Sequence, residues 1–551
     1  MDVSFGTVWE AVAHRLPDEV AISEPGRDYT YAEFEDRAAR LAGALSATGV
    51  GPGDKVACYL YNGAAYLETV FAAFKLGAIP LNANYRYTEE ELSRLLADAG
   101  AAAVVFSGEL AGNVTHAARY VRTLRLLVRA GPPGTADPGP DVPELDELLS
   151  ATPPRPAEQR PSSDRLFMYT GGTTGRPKGV IWRLADLLHA LFVPIFRPLG
   201  VSELPATLDE ALRLAVTART EGRAPVTMPV VPLMHATGLF NSMGALLVGG
   251  RVVTARRGGL DARHVWETVA RQRVRTIIVA GDAVCRPLVD ELLAAEAAGT
   301  PHDLGALTSV ISSGTALGDR LKQALHERAR VRIFDAIASS EGGPFAFAIT
   351  SSTVDLPARF FPTPGTRVVA EDGMDVVPGS GQAGVLAFHG PMPLGYHQDA
   401  VKTPQTFRTI DGVRYSMPGD LAEVGADGAI RFLGRGSGVV NTGGEKVHPK
   451  EVEDVLLAHP DVTDAIVVGV PDERWGERVA AVVATANREL TAEELRCSVR
   501  AKLAGYKVPS TITLLPELPR TPTGKLEVAW AKRVASGGRL CDERSGAAGR
   551  E

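Results

Sequence analysis

Strand-length apolar runs alternate with helical stretches along most of this chain, and that alternation restricts the fold more than any other property of the sequence. Residues 55–60 read as a buried strand, 68–77 as a helix, 78–81 as the next strand, 89–99 as a helix and 102–107 as a strand again. Ahead of them, residues 5–47 read as amphipathic helices around a short hairpin formed by 20–22 and 29–31. A second series of strand signals follows at 226–232, 251–255, 276–280, 309–313 and 331–335. Strands joined by helical crossovers build largely parallel sheets. A chain of 551 residues is too long for one core, so the two series are expected to form two α/β subdomains of one large N-terminal domain.

The texture changes over residues 361–432. Strand signals there alternate with turns such as Glu371-Asp372-Gly373 and Asp427-Gly428, which points to a small antiparallel β-barrel subdomain. Within it, Gly379-Ser380-Gly381-Gln382-Ala383-Gly384 matches the dinucleotide-binding fingerprint by letter. Pro378 precedes it, and the apolar run 385–388 reads as a strand rather than a helix, so the segment is assigned as a hairpin turn. Gly434-Arg435-Gly436-Ser437-Gly438 then places three glycines in five residues, the composition of a flexible joint. Beyond it, helices at 450–458 and 492–503 and strands at 462–470 and 480–484 describe a small, mobile α+β domain. The expected division is therefore an N-terminal domain over 1–434, a hinge at 435–438, a C-terminal domain over 439–536 and a disordered polar tail over 537–551. Residues 131–143, rich in Gly, Pro and Asp, read as a loop.

Bulk properties exclude several classes. With 45% hydrophobic and 22% charged residues the chain reads as a globular protein able to fill its cores without disulfides or structural metals. A net charge of -7 argues against a nucleic-acid partner. The cations at Arg256-Arg257 and 271–275 read as helix surfaces and strand entries. Cys58, Cys285, Cys497 and Cys541 lack metal-site spacing, and Cys285 reads as a core or surface thiol. No apolar run reaches membrane-spanning length and no secretory leader is evident, so a cytoplasmic location is expected.

The chemistry concentrates in Tyr169-Thr170-Gly171-Gly172-Thr173-Thr174-Gly175-Arg176-Pro177-Lys178-Gly179. Four glycines open backbone N–H groups to a ligand, three threonines add short donors, and Arg176 and Lys178 add positive charge. That combination describes a cradle for a polyphosphate. It is not the common P-loop, because Lys178 follows Pro177 and precedes Gly179. Four further clusters accompany it: Pro232-Leu233-Met234-His235-Ala236-Thr237-Gly238, Ser339-Ser340-Glu341-Gly342-Gly343, Tyr415-Ser416-Met417-Pro418-Gly419-Asp420, and Arg520-Thr521-Pro522-Thr523-Gly524-Lys525.

In order and spacing these clusters resemble the adenylate-forming superfamily of acyl-CoA synthetases, luciferases and peptide-synthetase adenylation domains. The resemblance extends from near the N-terminus to about residue 530. It implies ATP, Mg2+ and coenzyme A as cofactors. It also implies a two-step reaction: a carboxylate displaces pyrophosphate from ATP to give an acyl-AMP, and a thiol then displaces AMP. By the same resemblance Thr170, Gly171, Gly172, Thr173, Thr174 and Lys178 hold the departing pyrophosphate, while Thr174 and Glu341 serve the metal. A single carboxylate with waters suits a hard dication bridging phosphate oxygens. The alternative for Glu341 is a helix-start acid after Ser339 and Ser340.

By the resemblance Ser313, Gly314 and Thr315 lie where relatives contact adenine, Asp335 to Ala338 line its other side, and Ser339 and Ser340 belong to the cofactor-binding set. Asp420 resembles the carboxylate on the ribose hydroxyls, and Arg435 an arginine near ribose or phosphate. The alternative for Asp420 is a turn aspartate. Lys525 resembles the catalytic lysine between substrate carboxylate and α-phosphate. His235 resembles a gate beside the acyl and thiol tunnels, against the alternative of a packed core histidine. Gly443, Gly444, Glu445 and Lys446 resemble the thiolation loop along the pantetheine path.

The sequence departs from the pattern at Ser437, Ala338, Leu184 and Val528; none removes a core catalytic group, and the resemblance supports nucleotide binding more firmly than thioester formation. Residues 179–183, 281–287 and 339–341 look like those of actinobacterial ligases for fatty acids and steroid side chains. That implies a bulky apolar or aromatic carboxylic acid as partner, with 192–225 near its pocket. Two alternatives remain: a diazotase-like enzyme activating nitrite for an aryl amine, and a nucleotide-binding protein without turnover. A homodimer is a further expectation.

Overall fold

The computed structural model describes residues 5–131, 139, 141–170, 178–255, 259–442, 445–472, 476–503, 505–520 and 526–537; the side chains of Ser437, Asn441, Glu445 and Lys446 are also outside the description. The chain divides into two units, residues 1–366 with 388–416 and residues 367–387 with 417–551. The second unit thus holds chain from both sides of the 435–438 joint.

The first unit carries both α/β series. One sheet has, among the described residues, seven strands in the order Gly395–Tyr396, Lys178–Arg183, Arg165–Thr170, Ile79–Asn82, Lys55–Tyr59, Ala101–Ser107 and Leu126–Ala130. Its last five strands run parallel, and Lys178–Arg183 is antiparallel to both of its neighbours. The other sheet has nine strands, from Phe361–Pro362 through Gly342–Thr350, Arg332–Ser339, Ser309–Ser313, Thr276–Val279, Val226–Pro229, Arg251–Val253 and Val20–Glu24 to Arg27–Thr30. Its interior pairs are parallel and both margins are antiparallel.

Local chemistry sets the element ends. Helix Glu89–Ala99 starts at Thr88, whose side chain accepts from Glu91 N–H while Glu91 accepts from Thr88 N–H, and it stops at left-handed Gly100. The expected hairpin strand 29–31 ends one residue early for the same reason. Thr30 caps helix Tyr31–Ala47 through Glu33, so Tyr31 opens the helix and its hydroxyl reaches the carbonyls of Leu246 and Gly250.

Aromatic packing of Trp9, Phe34 and Phe71 ties helices Phe5–Arg15, Tyr31–Ala47 and Ala64–Leu76 together. Beside it, the buried ammonium of Lys75 lies 2.5 Å from both Glu10 and Glu35. Burial pushes the Glu35 carboxyl up to about 7, against the opposing pull of Lys75.

In the second unit, Gly384–Phe388, Asp420–Val424 and Ile430–Arg435 pair antiparallel, and the turn ahead of them carries positive φ at Gly379 (+78°) and Gly381 (+71°). The dinucleotide-like letters are therefore a turn entering a strand. Val440–Thr442 with Glu445–Val447, Asp464–Asp472 with Gly476–Ala484, and Thr511–Leu515 form a further sheet. Helices Pro449–Leu457, Ala492–Arg500 and Val528–Ala535 accompany it, completing a mixed α/β architecture with a small α+β C-terminal portion. Among the described residues no helix is long and apolar enough to cross a membrane.

Candidate active site

The segment expected to cradle a polyphosphate is flanked by two paired strands. Strands Arg165–Thr170 and Lys178–Arg183 pair antiparallel, with Thr170 opposite Lys178 at the mouth. Gly171, Gly172, Thr173 and Thr174 lie outside the described residues, as does the rest of 171–177. Gly179 has a steric reason: a Cβ there would sit 2.8 Å from the Tyr169 ring. The Tyr169 hydroxyl in turn donates to Asp98 at 2.7 Å.

Two asparagines absent from the sequence-level site, buried Asn82 and half-buried Asn62, brace this region. Asn82 accepts from Tyr169 N–H (2.6 Å) and donates to the carbonyls of Tyr169 (2.8 Å) and Met234 (2.7 Å). Asn62 donates to the carbonyls of Pro229 (3.2 Å) and Val231 (3.0 Å) and accepts from Leu233 N–H (2.7 Å). Together they fix the roots of the hairpin and the loop leading to His235. His235 is half-buried at the start of helix Ala236–Leu247. Gly238 lets that helix approach closely, since a Cβ would lie 2.8 Å from the Pro232 carbonyl.

Ser339, Ser340 and Glu341 form the turn between strands Arg332–Ser339 and Gly342–Thr350, so the helix-start alternative for Glu341 is corrected. The second strand was hidden in the sequence by its Gly342-Gly343-Pro344 opening. Glu341 is anchored at every polar atom of its backbone. Its N–H donates to Ser339 Oγ (3.2 Å) and its carbonyl accepts from Ser416 Oγ (2.6 Å). Trp182 Nε1 donates to the adjacent Ser340 carbonyl at 3.0 Å. The Tyr396 hydroxyl donates to Glu341 Oε1 at 2.9 Å. Tyr396 also lies under Lys178, whose ammonium is 5.4 Å from the ring centroid and 3.2 Å from Asp399. The Lys402 N–H, and then Lys178, hold the Asp399 carboxyl below its usual range.

The fit to magnesium is direct. Glu341 is a half-buried carboxylate with a fixed backbone, and among the described residues only Tyr396 hydrogen-bonds it, at one oxygen. Thr174, the other residue assigned to the metal, lies outside the description.

The expected adenine segment Ser313-Gly314-Thr315 follows strand Ser309–Ser313 and is held by residues 280–282. Thr315 Oγ1 donates to the Ala280 carbonyl (2.9 Å), Asp282 N–H to Ala316 (2.9 Å), and Gly318 N–H to Asp282 Oδ1 (2.6 Å). Gly281 must be glycine there: its φ is +52° and a Cβ would sit 2.3 Å from the Ala316 carbonyl. Asp335 is 2% exposed, and its carboxylate is 2.8 Å from the equally buried Lys322. Burial pushes that carboxyl up and Lys322 opposes the shift. Asp335 is thus paired internally, and residues 336–340 after it are half-buried.

In the second unit, Asp420 and Arg435 face each other across paired strands, with Arg435 Nε 3.0 Å from Asp420 Oδ1. Asp420 is therefore a strand residue with a cationic partner, not a turn aspartate. Gly443, Gly444 and Lys525 lie outside the described residues; Glu445 and Lys446 belong to strand Glu445–Val447.

The motifs carried by these paired strands and by the turn at Glu341, on a chain with a large α/β unit and a small α+β portion, point to the class of adenylate-forming ligases. Residues 9–397 match the AMP-binding enzyme family and residues 451–525 match its C-terminal domain, and the chain belongs to that family. It is 37% identical to a 3-oxocholest-4-en-26-oate–CoA ligase of Rhodococcus rhodochrous, covering 97% of this chain and 96% of that one. It is 38% identical to a medium/long-chain-fatty-acid–CoA/3-oxocholest-4-en-26-oate–CoA ligase of Mycolicibacterium smegmatis, covering 97% of each. The fold is shared with an anthranilate CoA ligase solved in complex with anthranoyl-AMP: TM-score 0.81, 22% identity, 98% of each chain covered. The AMP-forming acid–thiol ligase reading of the motifs agrees with these relatives. They lend nothing to the nitrite-activating alternative or to a protein without turnover.

Proposed function

We propose that this protein uses ATP and Mg2+ to convert a bulky apolar or aromatic carboxylic acid into an acyl-AMP and transfers the acyl group to coenzyme A. The observation that carries the reading is Glu341, fixed at a strand turn by Ser339, Ser416 and Tyr396, with the cradle cation Lys178 on the same tyrosine.

In this reading Lys178 binds the β- and γ-phosphates and stabilises the departing pyrophosphate. Glu341, with Thr174, holds magnesium, which when bound neutralises phosphate oxygens and so lowers the cost of bringing an anionic carboxylate to the α-phosphorus. Trp182 and Ser416 keep the turn from moving as that charge shifts. Asp420 accepts from the ribose hydroxyls, with Arg435 holding its carboxylate in place. Lys525 supplies a point charge between the two anions, and the segment 443–446 lines the path of the thiol. The named substrates of the relatives support an acid of steroid or fatty-acyl bulk. The apolar segment 191–196, packed against Gly244 of helix Ala236–Leu247, supports a pocket in that neighbourhood.

Pyrophosphate release should be measured with ATP, Mg2+ and a panel of acids, followed by mass spectrometry for CoA thioesters. No release with any acid, but release with nitrite and an aryl amine, would refute the ligase reading. Lys525→Ala should abolish acyl-AMP formation while ATP binding persists, and intact acyl-AMP formation would remove the lysine from its role.

A further inference from the structure

Among the described residues of the first unit, Tyr396 is the one side chain that meets both charged groups of the proposed phosphate–metal site. Its hydroxyl is 2.9 Å from Glu341 Oε1 and its ring centroid is 5.4 Å from the Lys178 ammonium. Three features make this arrangement rigid. Tyr396 is 8% exposed, so its ring is locked by packing, including a T-shaped contact with Phe407 at 5.9 Å. Its backbone is in strand Gly395–Tyr396, which pairs directly with the strand carrying Lys178, Gly395 facing Ile181 and Tyr396 facing Val180. Its N–H is fixed by Thr403 Oγ1 at 3.0 Å, and Gly395 (φ +153°) passes so close to Thr403 that a Cβ would lie 2.6 Å from Cγ2. A motion of the Lys178 strand would therefore carry the tyrosine with it, and through the hydroxyl would reorient Glu341.

We propose that Tyr396 is a positioning residue that sets the orientation of the Glu341 carboxylate and couples it to Lys178, so that metal and polyphosphate are bound as one unit. This rests on the reading of Glu341 as the magnesium carboxylate. The hydroxyl donates to Oε1 and so directs Oε2 toward the cation. A carboxylate with one oxygen already hydrogen-bonded loses less rotational freedom when it coordinates a metal. The ring adds a weak attraction for the ammonium, which keeps Lys178 near the same carboxylate without a direct ion pair between the two.

The test separates hydroxyl from ring. Tyr396→Phe keeps the ring and the packing, and Tyr396→Leu removes both. ATP affinity is measured by titration calorimetry across a range of free Mg2+, alongside the melting temperature. For Tyr396→Phe the Mg2+ concentration giving half-maximal ATP affinity should rise about five- to tenfold, equivalent to about 1–1.4 kcal/mol. ATP affinity at saturating Mg2+ should change less than about twofold. For Tyr396→Leu the affinity at saturating Mg2+ should fall as well. Glu341→Gln is the control for the underlying reading. If it leaves the Mg2+ dependence of ATP binding intact, Glu341 is not the metal carboxylate and the proposal falls with it. If Glu341→Gln abolishes that dependence but Tyr396→Phe leaves the half-saturation point unmoved, the coupling alone is refuted. A Tyr396→Phe variant that only melts earlier would show a structural role and overturn the proposal equally.

Discussion

Asn82 offers the sharpest test of how the phosphate cradle is built. It ends strand Ile79–Asn82, is 6% exposed, and its amide makes three short hydrogen bonds, to both polar backbone atoms of Tyr169 and to the Met234 carbonyl. The side chain thus continues the sheet ladder for one rung beyond the end of its own strand, and ties in the loop before His235. Asn82→Ala would leave one N–H and two carbonyls buried with those partners removed. At about 1 kcal/mol net for each bond the loss is about 3 kcal/mol, and more if water cannot enter. For a unit of this size that corresponds to a fall of about 4 °C in melting temperature. ATP affinity should fall at least about fivefold, because the strand that supports Thr170 is released at its root. Asn82→Asp should be no better than alanine: it keeps an acceptor for the Tyr169 N–H but turns a carboxylate toward two carbonyls. Differential scanning calorimetry and ATP titration on the two variants decide the matter. A shift below about 1 °C with unchanged ATP affinity would refute the argument.

Gly281→Ala forces a Cβ against the Ala316 carbonyl at a left-handed φ; a cost of about 2–3 kcal/mol and weakened ATP binding are expected in urea melts and titrations, and a neutral variant would show that the 313–316 segment shifts freely. Glu35 contributes a pH dependence of known sign. Its folded pKa, raised by burial to about 7, means that its stabilising contribution is complete below its unfolded value near 4.5 and is lost as pH rises through 7. The Lys75, Glu10 and Asp36 charges all face that carboxyl, and the decline is on the order of 3 kcal/mol. Glu35→Gln should flatten stability over that window, and an unchanged slope in melts from about pH 5 to pH 8 would contradict the assignment. Among the described cysteines, Cys497 is exposed while Cys58 and Cys285 are buried with thiols pushed up, so Cys497 should label first with a mild alkylating reagent, as peptide mass mapping would show.

The sequence made the parallel cores legible because their signals are local. Glu89–Ala99 and Ser309–Ser313 have the predicted bounds, the helix because its cap and terminal glycine are written beside it. The motifs located Glu341, Lys178, Asp420 and Arg435, yet gave no hint of what orients them. Tyr396 stands 55 residues from Glu341 in sequence, and Asn82 stands 87 from Tyr169, and neither belongs to any of the motifs. Such contacts depend on which sheet edges meet, and no periodicity records that. Strand Gly342–Thr350 was obscured because Gly-Gly-Pro signals a break, while tertiary pairing with Arg332–Ser339 carries the chain straight through it. Asp335 carries a partner the motif did not signal: Lys322, on a neighbouring helix, lies 2.8 Å from its carboxylate.

The place of Glu341 at the tip of two antiparallel strands has an electrostatic consequence. A carboxylate at a helix start faces the aligned peptide dipoles, about half a positive charge, and part of its appetite for a cation is met before any ligand arrives. Peptide dipoles along adjacent strands alternate and leave little net field at a turn. Glu341 therefore meets no such opposing field, and its carboxylate is engaged by the Tyr396 hydroxyl at one oxygen instead. The same residues Ser339-Ser340-Glu341 wound into a helix would have made a better capped protein and a poorer home for a dication.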